Sequence, residues 1–286
     1  MPPAVALEST VIAHGLPHPT NVEVALDLER RVRQEDAEPR TVGIVNGTPY
    51  VGLTDAQIRH LATAENVRKT SLRDLPVVTA QNADGATTVA GTMHLAHRAG
   101  ISVMATGGIG GVHRTVDQTP SWDVSADLEA LRRLPMTVVC SGPKVILDLA
   151  ATREVLESYG VTVVGYQTDV MPAFYSPTSD LTVDVRCDTP AAVADLIRAR
   201  SHLDLGGAIL VTVPPPAETA LPQSELDPAI ERALTDAEER ELQAAEVTPF
   251  LLKQLRDHLG PAVVEANAAL LRRNATVAAR IATAIE

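Results

Sequence analysis

Short aliphatic segments alternate with amphipathic segments over the first three quarters of the chain, and this alternation constrains the fold more than any other feature. Seven of the aliphatic segments are predicted strands, at 5–7, 41–45, 101–105, 136–140, 161–164, 181–185 and 208–213. The segments MTVVC and AILVTV are apolar at successive positions, as strands buried on both faces are. The pattern therefore predicts an α/β fold with a mainly parallel sheet and helices on both of its faces.

Five helices are predicted between these strands, at 21–34, 54–64, 87–98, 125–133 and 190–201. Asn21, Thr54 and Ser125 have side chains suited to N-caps, and Pro190 suits a first helical turn. Gly100 and Gly160 suit helix C-termini. A further helical stretch, VILDLAATREVL, is predicted directly after Lys144.

The character of the chain changes after Val213, where a proline-rich connection, PPPAETALP, precedes a region without a predicted strand. Residues 217–246 hold nine acidic residues and two arginines, which predicts a solvated helical face. Residues 248–259 and 263–285 have apolar residues at helical spacing and are expected to pack on the sheet. We therefore expect one domain over 1–286, with a sheet core at about 1–213 and a helical part at about 217–286.

Composition excludes several classes of partner. The net charge is −12 and aromatic residues make up 2% of the chain, so nucleic acid is an unsuitable partner. No apolar stretch is long enough to span a membrane, and the segment MPPAVALESTV lacks the pattern of a secretory signal, so a cytoplasmic protein is expected. Cys140 and Cys187 have neither metal-ligand spacing nor a disulfide pattern, and we expect two reduced core thiols.

Lysine is scarce in this chain, which has 21 arginines and only three lysines. Lys144 comes just after a predicted strand, at the sheet edge where α/β proteins bind ligands. A desolvated amine there can act as a Schiff-base nucleophile, although a lysine that reaches solvent from a loop has the same local sequence. Glu8 also follows a predicted strand, and partial burial would make it a general acid; a hydrogen-bonded strand-end glutamate is the alternative.

Three other segments are candidates for ligand binding. Lys69 is followed by two hydroxyl residues and an arginine, which suits a phosphate, although an ordinary surface lysine is equally compatible. The glycines of ATGGIGGVHR, 105–114, predict either an anion-binding nest or simply a tight turn. Asp123 and Asp127 flank Ser125, and together they suit hydrated Mg²⁺ or Mn²⁺; Asp127 can instead complement the helix dipole.

Nine motifs, in this order along the chain, resemble those of the pseudouridine-5′-phosphate glycosidase family, also described as indigoidine synthase A-like proteins. They are ALESTVIAHGLPHPTN at 6–21, VGLTDAQI at 51–58, KTSLRDLP at 69–76, GATTVAGTM at 85–93, ATGGIGGVHR at 105–114, DVSADL at 123–128, SGPKVILD at 141–148, VVGYQTD at 163–169 and TPFLL at 248–252. Two positions depart from the family pattern. Pro143 stands where many members have alanine, and Val213 stands where many have asparagine, which is expected to alter a ligand contact.

The resemblance implies reversible cleavage of the C–C glycosidic bond of pseudouridine 5′-phosphate to uracil and ribose 5-phosphate. It also implies a three-layer α/β/α fold, a homotrimer and a divalent cation, typically Mn²⁺ or else Mg²⁺. By position, the resemblance implies Lys144 as the Schiff-base nucleophile, Glu8 as the proton donor and Asp123 as the metal ligand, with Asp127 the other metal candidate. The substrate contacts it implies are Lys69, Val89, Ser125, Ala126, Asp127, His113 and Asn267.

Chemistry supports a lysine in this reaction, because the base of a C-glycoside would otherwise leave as a poor carbanion. Attack by an amine opens the ribose and allows uracil to leave from an iminium intermediate. Two other functions share parts of this pattern. A Schiff-base aldolase for a sugar phosphate would use the same lysine, and a non-catalytic phosphosugar-binding protein would need no nucleophile.

Overall fold

Strands and helices alternate through the parts of the chain that the computed structural model describes, which are residues 3–114, 122–240, 242 and 247–285. The strands are β1 (Ala4–Leu7), β2 (Glu38–Val45), β3 (Thr48–Val51), β4 (Arg68–Thr70), β5 (Gly85–Thr87), β6 (Val103–Ala105), β7 (Val112–His113), β8 (Thr137–Cys140), β9 (Leu147–Asp148), β10 (Thr162–Tyr166), β11 (Val185–Cys187) and β12 (Ile209–Thr212). The helices are α1 (Thr20–Gln34), α2 (Asp55–Thr63), α3 (Leu75–Ala80), α4 (Val89–Arg98), α5 (Ala126–Arg133), α6 (Leu149–Ser158), α7 (Pro190–His202), α8 (Gln223–Glu239), α9 (Val247–Leu259) and α10 (Pro261–Ile285). A short π-helical turn, Val11–Gly15, follows β1.

The central sheet has ten strands in the order β11-β10-β12-β8-β6-β1-β2-β5-β4, with β3 paired to β2 as a hairpin. The strands from β11 to β2 are parallel to one another. β5 and β4 are parallel to each other, but β5 is antiparallel to β2. The predicted α/β fold with a mostly parallel, mixed sheet is confirmed.

Two hydrophobic cores cover the two faces of this sheet. Alternation along β1 assigns Val5 and Leu7 to one core and Ala6 to the other. The first core includes apolar residues of α1, α7, α8, α9 and α10, and the second includes those of α4, α5 and α6. The result is three layers, and the helical C-terminal part packs against the sheet as expected.

Most predicted helix boundaries are close to those observed. Thr54 caps α2 within a complete capping box, Ser125 caps α5, and Pro190 begins α7. Gly100 and Gly160 follow their helices with positive φ angles of 80° and 67°. These predictions succeed because the caps depend on local backbone geometry, which the side chain of one residue can determine.

Four expectations about local structure are wrong. Asn21 lies inside α1, where its amide donates to the carbonyl oxygens of Ile12 and Ala62, because the helix begins earlier at Thr20. The strand expected at 181–185 is β11, shifted toward the C-terminus. The helix expected directly after Lys144 begins only at Leu149. The short strands β3, β4 and β5 were not predicted, because they lack aliphatic runs.

Both cysteines are free and buried, as expected. Burial raises the pKa of Cys140 to about 12, so its thiol stays protonated at neutral pH. Among the described residues, none of the helices combines the length and hydrophobicity needed to cross a bilayer.

Asp27 joins α1 to α10, which is far away in sequence. Its Oδ2 accepts a hydrogen bond of 2.7 Å from Arg272 and one of 3.2 Å from Arg31, and its Oδ1 accepts one of 2.7 Å from Arg30. Burial alone would raise the pKa of Asp27, but these three guanidinium groups outweigh burial and lower it to about 2. The carboxylate is thus held in its charged form between two helices.

We expect Asp27→Asn to lower the free energy of unfolding at pH 7 by roughly 2 kcal/mol, since a lowered carboxyl pKa stabilises the folded state above the unfolded pKa. That contribution should disappear as pH falls through the folded pKa of about 2. Urea unfolding at pH 7 and at pH 3 measures both effects. Asp195→Asn is the matched control, because Asp195 is exposed on α7 and pairs with the exposed Arg198. Equal stability of the two variants at pH 7 would contradict this assignment.

Candidate functional site

The candidate site lies where the C-terminal ends of several strands converge. β2 extends beyond β1, and the upper part of β2 pairs with β5, which runs in the opposite direction. The ends of β1 and β5 therefore meet, and the Ser9 N–H donates to the Thr87 carbonyl oxygen at 3.4 Å while the Thr87 N–H donates to Ser9 Oγ at 2.8 Å. This arrangement brings Glu8, after β1, near Lys69 of β4.

Four charged side chains from separate segments meet at this convergence. The charges of Glu8, Asp127 and Lys144 act on the pKa of Lys69, and those of Lys144 and Asp127 act on the pKa of Glu8. We call these four residues the charge cluster. Two amines and two carboxylates are thus collected from the segments that follow β1 and β8, from β4 and from the first turn of α5. Clusters of interacting titratable groups are typical of functional sites.

Glu8 is held at the end of β1 by the turn that follows it. Its Oε2 accepts a hydrogen bond of 3.0 Å from the Val11 N–H. Burial raises the pKa of Glu8, while the positive charge of Lys144 and the N–H groups of Val11 and Thr10 oppose that rise. The direction of the shift agrees with the expectation that Glu8 keeps a proton to higher pH than an ordinary glutamate, as a general acid needs.

Lys144 is positioned by a ladder between two loops that extend the parallel strands β6 and β8. The Lys144 N–H donates to the Ile109 carbonyl oxygen at 3.1 Å, and the Ile109 N–H donates to the Gly142 carbonyl oxygen at 3.2 Å. Gly142 has a φ of 87°, and a Cβ there would lie 2.1 Å from the Pro172 carbonyl oxygen, so only glycine fits. Pro143 forms a parallel bridge with Ile109, which makes it part of this ladder.

Lys69 lies on an edge strand and faces the same cluster. Desolvation by the surrounding protein and the positive charge of Lys144 lower the pKa of Lys69, against the opposing effects of Asp127 and Glu8. His14, in the π-helical turn, lies near Lys69, and burial and the charge of Lys69 lower its pKa. The sequence analysis did not single out His14, although it belongs to the quoted segment 6–21.

The geometry of the glycine-rich loop favours close packing over the predicted anion nest. None of Gly107, Gly108, Gly110 and Gly111 is among the positive-φ glycines of the described chain, so the loop lacks the αR-αL form of a nest. These glycines instead allow close packing: a Cβ at Gly110 would lie 2.2 Å from Ser125 Oγ, and one at Gly111 would lie 2.3 Å from Thr152 Oγ1. The alternative of a tightly packed turn is the better description.

Asp127 braces this loop from the first turn of α5. It is 5% exposed, its Oδ2 accepts from the Gly110 N–H at 2.8 Å, and its Oδ1 accepts from the Ala90 N–H at 2.9 Å. The carboxylate therefore joins the glycine loop to the start of α4. Bracing these two segments is the role of Asp127 that its hydrogen bonds show, and its alternative role as a metal ligand stays a prediction.

Asp123 is the carboxylate that fits a hydrated cation. It is partly exposed, its Oδ2 lies 3.8 Å from His113 Nδ1, and its carbonyl oxygen accepts from the His113 N–H at 3.0 Å. Burial and the charges of Lys69 and Lys144 lower the pKa of His113, whereas Asp123 raises it. No group of three or more His, Cys, Asp or Glu side chains suited to a metal occurs among the described residues, so an ion here would take most of its ligands from water and substrate.

The remaining predicted contacts lie at helix starts or on α10. Val89 is the first residue of α4, which Thr88 caps, and Ser125 and Ala126 begin α5. Asn267 is half-buried on α10. Val213 is buried in the first core, where its N–H donates to the Cys140 carbonyl oxygen at 2.8 Å, and the expected effect of this departure on a ligand contact stays a prediction.

Asn274, which the sequence analysis missed, braces both loops from α10. It is fully buried, and its Nδ2 donates to the carbonyl oxygen of Thr106 at 2.9 Å and to Ser141 Oγ at 3.1 Å. Ser141 begins the SGPK segment, and its N–H donates to the Gly107 carbonyl oxygen at 2.8 Å. A polar residue on the apolar face of this amphipathic helical stretch, three or four positions from Leu270, Leu271, Val277 and Ala278, was the available signal for this role.

Comparison with known proteins agrees with this architecture. The profile of the family described as indigoidine synthase A like protein matches residues 1–284. The chain belongs to this family. A pseudouridine-5′-phosphate glycosidase of Geobacillus kaustophilus is 48% identical over 280 residues, which are 98% of this chain and 92% of the relative. One of Chloroflexus aurantiacus is 50% identical over 285 residues, 98% of this chain and 93% of the relative.

Two solved structures share the fold of this chain. An indigoidine synthase A-like protein of Thermotoga maritima has a TM-score of 0.91 at 33% identity, covering 99% of this chain and 92% of its own. The prealnumycin C-glycosynthase AlnA, in complex with ribulose 5-phosphate, has a TM-score of 0.90 at 38% identity, covering 99% and 91%. The predicted family and fold are therefore confirmed.

We expect Asp127→Asn to lower the free energy of unfolding by about 1–3 kcal/mol, because an amide cannot accept both backbone hydrogen bonds and leaves a buried N–H unpaired. Urea unfolding measures this loss. Glu129→Gln is the matched control on the same helix, since Glu129 pairs with surface arginines and should change stability by no more than about 0.5 kcal/mol. If the two variants unfold at the same urea concentration, the bracing role of Asp127 is wrong.

Proposed function

We propose that this chain is a pseudouridine-5′-phosphate glycosidase that cleaves the C–C bond between uracil and ribose through a Schiff base on Lys144. The observation that carries the proposal is the meeting of Glu8 and Lys144, one partly buried acid and one amine, at the ends of two parallel strands. The names of the relatives support the substrate. The ribulose 5-phosphate complex of AlnA supports a pentose phosphate as ligand class.

The spacing of the two groups suits a ribose between them. β1 and β8 are separated by the single strand β6. Adjacent strands lie about 4.8 Å apart, so the ends of β1 and β8 are roughly 10 Å apart. Side chains that reach inward from both ends can approach the ring oxygen and C1′ of one sugar.

The proposed reaction begins when neutral Lys144 Nζ attacks C1′ and the bond from C1′ to the ring oxygen breaks. Glu8 donates its proton to that oxygen, which becomes a hydroxyl group. The attached nitrogen loses a proton, which restores Glu8. Glu8 gives this proton to uracil C5, and the electrons of the C1′–C5 bond leave with uracil, so an iminium remains on Lys144. Water hydrolyses this iminium to ribose 5-phosphate and the Lys144 ammonium, which returns a proton to Glu8.

The substrate phosphate would bind on the Lys69 side of the cluster. Lys69 and His113 are the basic groups there, and the start of α4 at Val89 presents the positive end of a helix dipole. Ser125, Ala126 and Asp127 at the start of α5, together with Asn267, complete the proposed substrate contacts. Without a phosphate, two lysines would face each other in the site with less compensating negative charge.

We further propose that Asp123 holds a divalent cation, Mn²⁺ or Mg²⁺, and that the protein is a homotrimer. One carboxylate suffices for a mostly hydrated ion beside an anionic substrate. When bound, the ion would neutralise charge on the phosphate. The family resemblance supports the trimer.

Trapping tests the nucleophile. Incubation with ribose 5-phosphate followed by borohydride should reduce the imine and attach the sugar to Lys144, which peptide mass spectrometry can locate. Lys144→Ala should lose this adduct and reduce uracil release on the order of a thousandfold or more. Lys253→Ala is the matched control, because Lys253 is an exposed lysine of α9.

The outcomes separate the competing functions. An adduct on Lys69, or normal turnover by Lys144→Ala, would make the proposed mechanism wrong. An adduct on Lys144 without uracil release from pseudouridine 5′-phosphate would favour a Schiff-base aldolase. Binding of ribose 5-phosphate without any adduct would favour a phosphosugar-binding protein.

Metal dependence tests the role of Asp123. EDTA should abolish uracil release, and Mn²⁺ or Mg²⁺ should restore it. Asp123→Asn should weaken Mn²⁺ binding, followed by electron paramagnetic resonance, by about tenfold or more. The exposed Asp180→Asn serves as control and should bind Mn²⁺ like the parent protein. Unchanged Mn²⁺ affinity in Asp123→Asn would remove Asp123 from the metal site.

A further inference from the structure

A cavity of about 530 Å³ lies on the outer side of α10, and no member of the charge cluster lines it. Its walls come from α10, the end of α1, the end of β10 and the segment that follows β12. The charged residues that line it are Arg31, Arg272, Arg273, Arg280 and Glu218, and Tyr166 lines it as well. Four guanidinium groups converge here in a chain whose net charge is −12.

The carboxylates around this cavity do not balance its guanidinium groups. The single carboxylate of Asp27 forms ion pairs with Arg30, Arg31 and Arg272. Glu35 pairs with Arg280 at 2.9 Å. Arg273 has no carboxylate within ion-pair distance among the described residues, and Glu218 is the one acidic residue that lines the cavity there. A local excess of positive charge results.

Tyr166 adds a hydrogen-bonding group to the lining of this cavity. It is 6% exposed, yet it lines the cavity, and its hydroxyl group has no hydrogen-bond partner in the described part of the chain. Arg273 and Arg280 lie close enough for their charges to act on this hydroxyl. The Tyr166 hydroxyl oxygen is not one of the buried unpartnered side-chain atoms of the described residues, so it is accessible from the cavity and can donate to a molecule bound there.

We propose that this cavity is a second anion site, which binds a phosphorylated small molecule through Arg273 and Tyr166. The fork of a guanidinium group matches phosphate oxygens, and the tyrosine hydroxyl can donate to a third oxygen. The volume lies within the range of about 300–1,000 Å³ that is typical of small-molecule sites. A nucleic acid is a less suitable ligand, because the net charge of the whole chain repels a long polyanion.

Equilibrium dialysis with labelled inorganic phosphate tests the site by counting bound ions per chain. The parent protein should bind phosphate at two sites, one of them in the charge cluster. Arg273→Gln should weaken one site tenfold or more, and Tyr166→Phe should weaken the same site by about threefold. Lys69→Met should affect only the other site. Arg33→Gln, an exposed arginine of α1 that pairs with Glu29, is the matched control.

Competition and two further measurements complete the design. Uridine 5′-monophosphate and ribose 5-phosphate, each competing with labelled phosphate in Lys69→Met, distinguish a nucleotide from a sugar phosphate or free phosphate as the preferred ligand. Uracil release by Arg273→Gln should equal that of the parent, which shows an intact fold. Phosphate binding by Arg273→Gln that equals the parent's would overturn the proposal. Sedimentation that shows a changed oligomeric state in Arg273→Gln, with unchanged phosphate binding, would instead make this face a contact between copies.

Discussion

The carboxylate of Asp127 makes two backbone hydrogen bonds on which the geometry of the candidate site depends. One joins the glycine loop after β6, and the other joins the start of α4, so one buried side chain sets the distance between two segments. The glycine loop in turn pairs with the SGPK loop through Ile109 and Lys144. The position of Lys144 thus derives from a chain of short, buried contacts rather than from its own strand. In the proposed mechanism, preorganisation of this kind would serve the attack of Lys144 on C1′, because a small displacement of an attacking group is costly in rate.

The two amines and the two carboxylates of the charge cluster are intermixed. Each amine of the charge cluster lies near a carboxylate, yet Lys69 and Lys144 also lie near each other, and their repulsion helps to lower the pKa of Lys69. On the acidic side, burial raises the pKa of Glu8 despite the attraction of Lys144. Both shifts favour neutral forms. Burial thus favours the protonated form of Glu8 and the neutral form of Lys69, which eases the proton exchange that the proposed Schiff-base chemistry needs.

The features that the sequence predicted well depend on local or periodic signals. Buried parallel strands, the caps at Thr54 and Ser125, and the strand-end position of Lys144 can all be recognised within a few residues. The features that were missed depend on tertiary contacts. β5 forms because the upper part of β2 pairs with it, and β4 in turn pairs with β5. Asn274 has its bracing role because α10 crosses the ends of the two loops. Glycines that seemed suited to bind an anion instead pack against side chains from distant segments.

The brace that Asn274 provides also concerns the order in which the protein is made. β6 and β8, whose C-terminal loops Asn274 joins, precede α10 in the chain, so a ribosome produces these loops well before it produces the residue that connects them. Until α10 docks, the carbonyl oxygen of Thr106 and the hydroxyl of Ser141 lack this partner. The segment that carries Lys144 therefore gains this brace only after α10 has been synthesised and has packed on the sheet.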